Sequence, residues 1–269
     1  MRRVYVLFVF AAMLLSVGLV GASGAERQSG RRVLIVADER GPMDTLAEFL
    51  REAGSFETSY VEQDGLAEDL SSAGWGAVFM YIHGAMTRRT ERILIDYAVG
   101  GGRLIVVHHG IASARVNNPA WLEMAGIWMN PRNHATSPWR VIGNTTHTIV
   151  NLRPGHYVTS HRVEWPVTIE YTPSDAPSMP QALPAIALAD TEVFLNQHFT
   201  DGRVKTVLLG FHCVDPATGE VIMQDRGGWY KPAGRGLVFY FQAGHKAGDF
   251  AERNYAQMLL NAVEYRPAE

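Results

Sequence analysis

The chain has 269 residues, of which 47% are hydrophobic and 19% charged, with a formal net charge of −3. That length and composition suit one or two globular domains with a full core, and the lack of a basic stripe argues against nucleic acid as a partner. One cysteine, Cys213, excludes an intrachain disulfide; beside Phe211 it reads as a small buried hydrophobe in preference to a nucleophile.

Residues 1–25 read as a cleaved secretory signal. Arg2 and Arg3 make a basic start, Val4 to Val20 is almost wholly apolar, and Gly21-Ala22-Ser23-Gly24-Ala25 supplies small residues for cleavage. An uncleaved anchor is the alternative, because the apolar run is nearly long enough to span a bilayer. Cleavage removes two arginines and no acid, leaving 22 basic and 27 acidic residues and a charge of −5. The expected location is periplasmic or secreted, with no stable membrane insertion after cleavage.

A single α/β domain is expected over residues 31–266. Arg31 to Ala37 reads as a strand. After Pro42, Met43, Leu46, Ala47, Phe49, Leu50 and Ala53 recur at helical spacing, and Gly54 stops them. Glu57 to Val61 alternates as a strand, Asp64 to Ser72 reads as a short helix, and Ala77 to Ile82 as a buried strand. Thr87 to Val99 is helical, with Ile93, Leu94, Tyr97 and Ala98 on one face. Gly100-Gly101-Gly102 then leads into the apolar run Leu104 to Val107. Strand and helix alternating at these spacings predict a parallel sheet with helices on both faces.

Pro119 to Ala125 suits one short helix. From Gly126 to Pro184 the chain is rich in Pro, Asn, Thr, His and Trp and reads as an elaborated insertion. Thr159 to Val163 and Val167 to Tyr171 within it, and Ala185 to Leu188 just after it, suit short strands, and Pro173 to Pro184 a loop. Val204 to Gly210 and Gly236 to Gln242 return to the sheet pattern. Asp249, with Glu252 three residues on, resembles a capping box. Phe250, Tyr255, Met258, Leu259, Ala262 and Val263 give the closing helix its apolar face.

Chemistry gathers at strand ends, where ligands bind in open α/β sheets. His108 and His109 follow the run ending at Val107, and Gly244-His245 follows the run ending near Gln242; His83 and His212 hold similar positions. Histidine serves as acid, base, metal ligand or hydrogen-bond donor near neutral pH. In an extended chain His108 and His109 would point to opposite sides, so one of them is expected to face the cleft. Glu192, between Thr191 and Val193-Phe194, needs a partner or a wet pocket. It suits a general base, a metal ligand or an acceptor for a sugar hydroxyl, or else an ion pair with a residue such as Arg235. Trp121, Trp128, Trp139, Trp165 and Trp229 suit stacking on sugar faces or core packing.

No His-Glu-x-x-His helix, cysteine pair or His-x-His motif is present, so a divalent metal is an open option that needs ligands from distant segments. Where a nucleophile elbow would stand the chain reads Val107-His108-His109-Gly110-Ile111-Ala112-Ser113, which argues against a serine or cysteine hydrolase.

These segments resemble the ThuA-like (trehalose utilisation) family. The matching pieces are Tyr97 through Gly100-Gly101-Gly102-Arg103-Leu104-Ile105-Val106-Val107-His108, then Trp121 with Ala125-Gly126. They continue with His147-Thr148-Ile149, Thr191-Glu192-Val193-Phe194, and Trp229 through Gly234-Arg235-Gly236-Leu237-Val238-Phe239-Tyr240 to Gly244-His245. The order is that of the family across about residues 33–263. Departures are Asp38-Glu39 where the family often has His-Asp, Thr191 at an acidic position, and Thr148 at a proline position. The resemblance implies a flavodoxin-like, class I glutamine amidotransferase-like fold without the amidotransferase nucleophile, and a link to sugar metabolism.

The expected function is an exported enzyme acting on a sugar or an oxidised sugar derivative by hydrolysis or isomerisation. Glu192, His108 and His245 would be catalytic, and His109, Trp121, Trp229, Arg235 and His212 would bind substrate. A non-catalytic carbohydrate-binding or accessory protein is the alternative. A partner-binding domain using the 126–184 region, compatible with a homo-oligomer, is a third.

Overall fold

The computed structural model describes residues 31–173, 179–202 and 204–267. The segment read as a signal lies outside them, as does part of the expected 173–184 loop.

The first half follows the sequence pattern: β1 (Arg32–Ala37), α1 (Arg40–Gly54), β2 (Glu57–Val61), β3 (Ala77–Tyr81), α2 (Arg88–Val99) and β4 (Arg103–Val107). β1 pairs in parallel with both β2 and β3, and β3 pairs in parallel with β4. β3 and β4 are buried throughout, which explains their near-continuous apolar runs. Alternate residues serve the two faces. Ile35, Phe79, Ile105 and Val107 pack with Met43, Leu46 and Leu50 of α1. Val36, Met80, Leu104 and Val106 pack with Ile93, Leu94 and Tyr97 of α2 on the other side. Thr87 caps α2, its hydroxyl accepting from the Thr90 N–H.

The expected helix at Asp64–Ser72 is absent. Only Gln63–Gly65 makes a 3₁₀ turn, and the Asp69 carboxylate accepts from the backbone N–H of Ser71 and Ser72, which closes a turn instead.

In the second half, the region read as an elaborated insertion contributes strands to the main sheet. This half runs α3 (His109–Ala112), α4 (Pro119–Ala125), β5 (Ile127–Met129), β6 (Arg140–Asn151), α5 (Tyr157–Ser160), β7 (Val167–Tyr171), β8 (Gln181–Leu195), β9 (Gln197–Phe199), β10 (Thr206–Val214), β11 (Val221–Ala233), β12 (Gly236–Phe241), α6 (Ala247–Ala251) and α7 (Arg253–Glu264). β6, β7 and β8 belong to the main ten-stranded sheet, ordered β2-β1-β3-β4-β12-β11-β10-β6-β8-β7. β12 pairs in parallel with β4, and every pairing beyond β12 is antiparallel. The sheet is therefore mixed, half parallel and half antiparallel. Thr159–Val163 is the end of α5 and the turn after it, since the Thr159 hydroxyl donates to the carbonyls of Arg153 and His156.

Candidate functional site

Two strands deliver the histidines. β4 ends at Val107, and His108 follows with φ 46 and ψ −106, a conformation sparse for any residue with a Cβ. The chain then turns at once into α3. This strand–turn–helix is an elbow, and Gly110 makes it feasible. A Cβ there would lie 2.5 Å from the Met80 sulfur and 2.7 Å from Val106 Cγ1. On the neighbouring strand β12, Gly244 at φ 111 turns the chain so that His245 faces the same place. The Tyr81 hydroxyl donates to the His245 carbonyl at 2.9 Å.

Glu192 arrives from β8, in the antiparallel half. One of its oxygens, Oε2, lies 3.3 Å from His108 Nε2, 3.4 Å from His109 Nε2 and 3.7 Å from His245 Nδ1. One ligand atom from each of the four residues falls within 4.8 Å of all the others. As expected, one of the pair lines the cleft, His109, while His108 is fully buried against the Gln242 backbone carbonyl, yet both reach Glu192. The elbow ends the extended chain at His108, so strand alternation no longer applies, and the two rings meet edge to face at 4.2 Å.

Second contacts fix each ring. His108 Nδ1 is 2.6 Å from the Gln242 carbonyl; a carbonyl only accepts, so Nδ1 carries the hydrogen. In the neutral ring Nε2 then presents a lone pair to the Glu192 carboxylate. Only a shared proton or a cation makes that contact favourable. His109 stacks on His83 at 4.0 Å, and His83 Nδ1 is 2.8 Å from Glu39 Oε1. The Asp249 carboxylate accepts from the N–H of His245 and Lys246 and from the Thr191 hydroxyl. Asp249 is thus the third residue of α6, not a helix N-cap; Glu252 caps α7 instead.

Burial pulls the His109 imidazole down to about 4, against the opposing hydrogen bond of Glu192. Burial alone would raise the Glu192 carboxyl, but the hydrogen bonds and charges of His108, His109 and His245 outweigh it and hold the group well below the usual carboxylate range. A half-buried carboxylate among three imidazole rings is a metal-ligating donor set. Four donors around one ion at 2.0–2.2 Å would stand about 3.3–3.5 Å apart, which matches the His108 and His109 separations from Glu192. The His245 separation, 3.7 Å, is slightly wider, and the donor types, imidazole with carboxylate, suit first-row transition ions.

Two members of the cluster, His109 and Glu192, line a cleft of about 550 Å³. His83, His109, Glu192 and Phe194 line one part, and Ser113, Arg115, Arg132 and Trp139 another.

Other expected site residues lie elsewhere. Trp121 is 0% exposed, and its indole N–H donates to the Gly110 carbonyl at 3.0 Å, so it packs beneath the elbow. Trp229 is also 0% exposed, under the Lys205 ammonium and tilted against Tyr240. Neither indole can touch a ligand without losing its packing. Arg235 sits in the β11–β12 turn, its guanidinium donating to the Gly100 carbonyl. That is the opposite end of β12 from His245, so Arg235 neither lines the cleft nor pairs with Glu192. His212 stands on β10, opposite Thr148 and Met223, outside the cluster. Cys213 is buried, which pushes its thiol up to about 12.

His83, Glu39, Gln242 and Asp249 went unassigned by the sequence reading. His83 was signalled by its place after β3; the others act through contacts between distant segments.

The profile of the ThuA family, described as trehalose utilisation, matches residues 32–266. The chain belongs to the ThuA family. This ThuA chain is similar in fold to a ThuA-like protein of Bacteroides uniformis, with 13% identity, a TM-score of 0.52, and coverage of 87% of this chain and 89% of that one. It is likewise similar to a cytoplasmic protein of Salmonella typhimurium LT2, with 12% identity, a TM-score of 0.55, and coverage of 87% and 98%. A stretch of 88 residues is 38% identical to a uroporphyrinogen decarboxylase of Saccharopolyspora erythraea. That match covers 33% of the ThuA chain and 22% of the relative, so the chain spans about a fifth of that protein's length.

Proposed function

We propose that the protein is an enzyme of carbohydrate metabolism that acts on a sugar or an oxidised sugar derivative, by hydrolysis or isomerisation, at a metal-binding His108–His109–Glu192–His245 site. The observation that carries the reading is three histidine nitrogens around a single carboxylate oxygen, with that carboxylate and His109 lining an open cleft. The trehalose-utilisation description of the family supports sugar as the substrate class.

A bound divalent ion would polarise a carbonyl or hydroxyl oxygen of the sugar. His108 and His109, nearly inaccessible, hold their rings rigidly through Gln242 and His83. Glu192 and His245 keep 21% and 37% of their side chains exposed. Substrate in the cleft therefore meets Glu192, which is proposed as the group that exchanges a proton with it. Export by the 1–25 segment is part of the same proposal and is tested by the N-terminal residue of the mature protein.

The test is metal content of untagged protein followed by turnover on a panel of sugars and sugar lactones or ketones. One ion per chain, lost in His245→Ala, together with a Glu192→Gln variant that folds but has lost turnover, supports the reading. Normal turnover in both variants overturns it, and saturable sugar binding without product makes the protein a binding module.

A further inference from the structure

The cleft is also lined by two arginines, Arg115 and Arg132. Arg115 and Arg132 both place their guanidinium groups over the Trp139 indole, at 4.2 and 5.0 Å from the ring centre. Among the described residues neither guanidinium has a carboxylate partner. Arg88, Arg89, Arg92 and Arg140, by contrast, pair with carboxylates. Arg115 is half-buried, and burial and then the charge of Arg132 lower it. Two like charges held on one aromatic platform repel each other, and desolvation adds to the cost. An anion between them relieves both.

The rest of the wall fits an anion as well. Trp139 is only 3% exposed, so it is a fixed support, and the cation–π contacts keep both guanidinium groups near its face. The Ser113 hydroxyl is buried against this wall with no hydrogen-bond partner. Paired guanidinium groups are what a carboxylate or phosphate group takes up. Glu192 lines the same cleft, so the negative group of a ligand would be drawn to the arginine wall and kept from the carboxylate.

We infer that the substrate is an anionic sugar, whose carboxylate or phosphate group is held by Arg115 and Arg132 while its reacting carbon lies over the Glu192–histidine cluster. This rests on the reading of the cleft as a carbohydrate site, and it names the class of sugar: a sugar acid or a sugar phosphate.

The experiment is calorimetric titration of the full-length protein, as purified and after metal loading, with glucose, glucuronate, glucose 6-phosphate and inorganic phosphate. The wild type is compared with Arg115→Gln, Arg132→Gln and the double variant. The expected result is that at least one of the two anionic sugars binds about tenfold or more tightly than glucose, and that each single variant loses about tenfold of that preference. Preference for glucuronate marks a carboxylate site, and preference for glucose 6-phosphate a phosphate site. Equal binding of neutral and anionic sugars, or a preference that survives in the double variant, overturns the inference. Binding of inorganic phosphate alone also overturns it, because the sugar then plays no part. The parent reading fails separately: anion preference lost in the arginine variants of a protein that takes up no metal leaves the subsite standing and removes the metal centre. A metal-loaded protein inactivated by Glu192→Gln but blind to charge does the reverse.

Discussion

The Thr191 hydroxyl donates to Asp249 Oδ2 at 2.6 Å, and the same oxygen accepts the His245 backbone N–H at 2.8 Å. One buried carboxylate thereby ties the residue before Glu192 to the turn that carries His245. Asp249→Asn places amide hydrogens against these donors. The variant is expected to lose about 2 kcal/mol of stability and about tenfold to a hundredfold in metal affinity. Thr191→Val, which leaves the backbone bonds intact, should cost about 1 kcal/mol and a smaller part of the affinity. Urea denaturation and competitive metal titration measure the two effects separately.

The strain at His108 predicts an inversion of the usual ranking of substitutions. Glycine adopts φ 46 without penalty, whereas alanine does not. His108→Gly should exceed His108→Ala in apo-protein stability by about 1 kcal/mol, while both lose the metal. Equal midpoints in urea would show that the elbow is relaxed.

Gly110→Ala brings a methyl group onto the Met80 sulfur and Val106. The expected cost is about 1–3 kcal/mol from overpacking, with a shift of α3 that moves His109 away from Glu192. Loss of metal affinity greater than the loss of stability would show the shift, and near-infrared or visible spectra of a cobalt-substituted sample would follow it at the ion.

His147 gives a pH dependence. It is 0% exposed, and burial lowers it to about 3. Below the unfolded value of 6.5 the unfolded chain takes up a proton that the folded chain refuses. Stability is therefore fully present above pH 6.5 and falls as pH drops toward 3, by on the order of 4 kcal/mol at full extent. His147→Leu should flatten that part of the stability profile. An unchanged slope from pH 6.5 to 4 would assign the acid sensitivity to other groups.

The parallel half was legible in the sequence because its signals are local. Continuous apolar runs at Val33–Ala37, Ala77–Tyr81 and Leu104–Val107, with helical spacing between them, leave little choice. The antiparallel half was not. β6 carries Thr, Asn and His within a twelve-residue strand, and β11 contains Gly227, Gly228 and Pro232. Their pairing comes from neighbours far along the chain, which periodicity does not show. At the site, Glu192 and two strand-end histidines were readable as polar groups in apolar or glycine-bounded settings. The inward turn of His109 was not, because it depends on the φ of His108. Trp121 and Trp229 were misplaced because an indole suits a loop-built core as well as a sugar, and here a hydrogen bond to Gly110 and stacking under Lys205 hold them inside. Arg115 and Arg132 carry no sequence signal at all; only their shared platform on Trp139 sets them apart.

Glu192 comes from the antiparallel half, 84 positions from His108, and His245 comes from beyond β12. An ion held by these side chains would join three remote points of a chain that has a single cysteine. It would act as a reversible cross-link, closing two long loops in the way a pair of disulfides does elsewhere. Metal supply would then set the lifetime of the folded molecule as well as its chemistry, and a chelator would make the protein more susceptible to proteolysis before any substrate is involved.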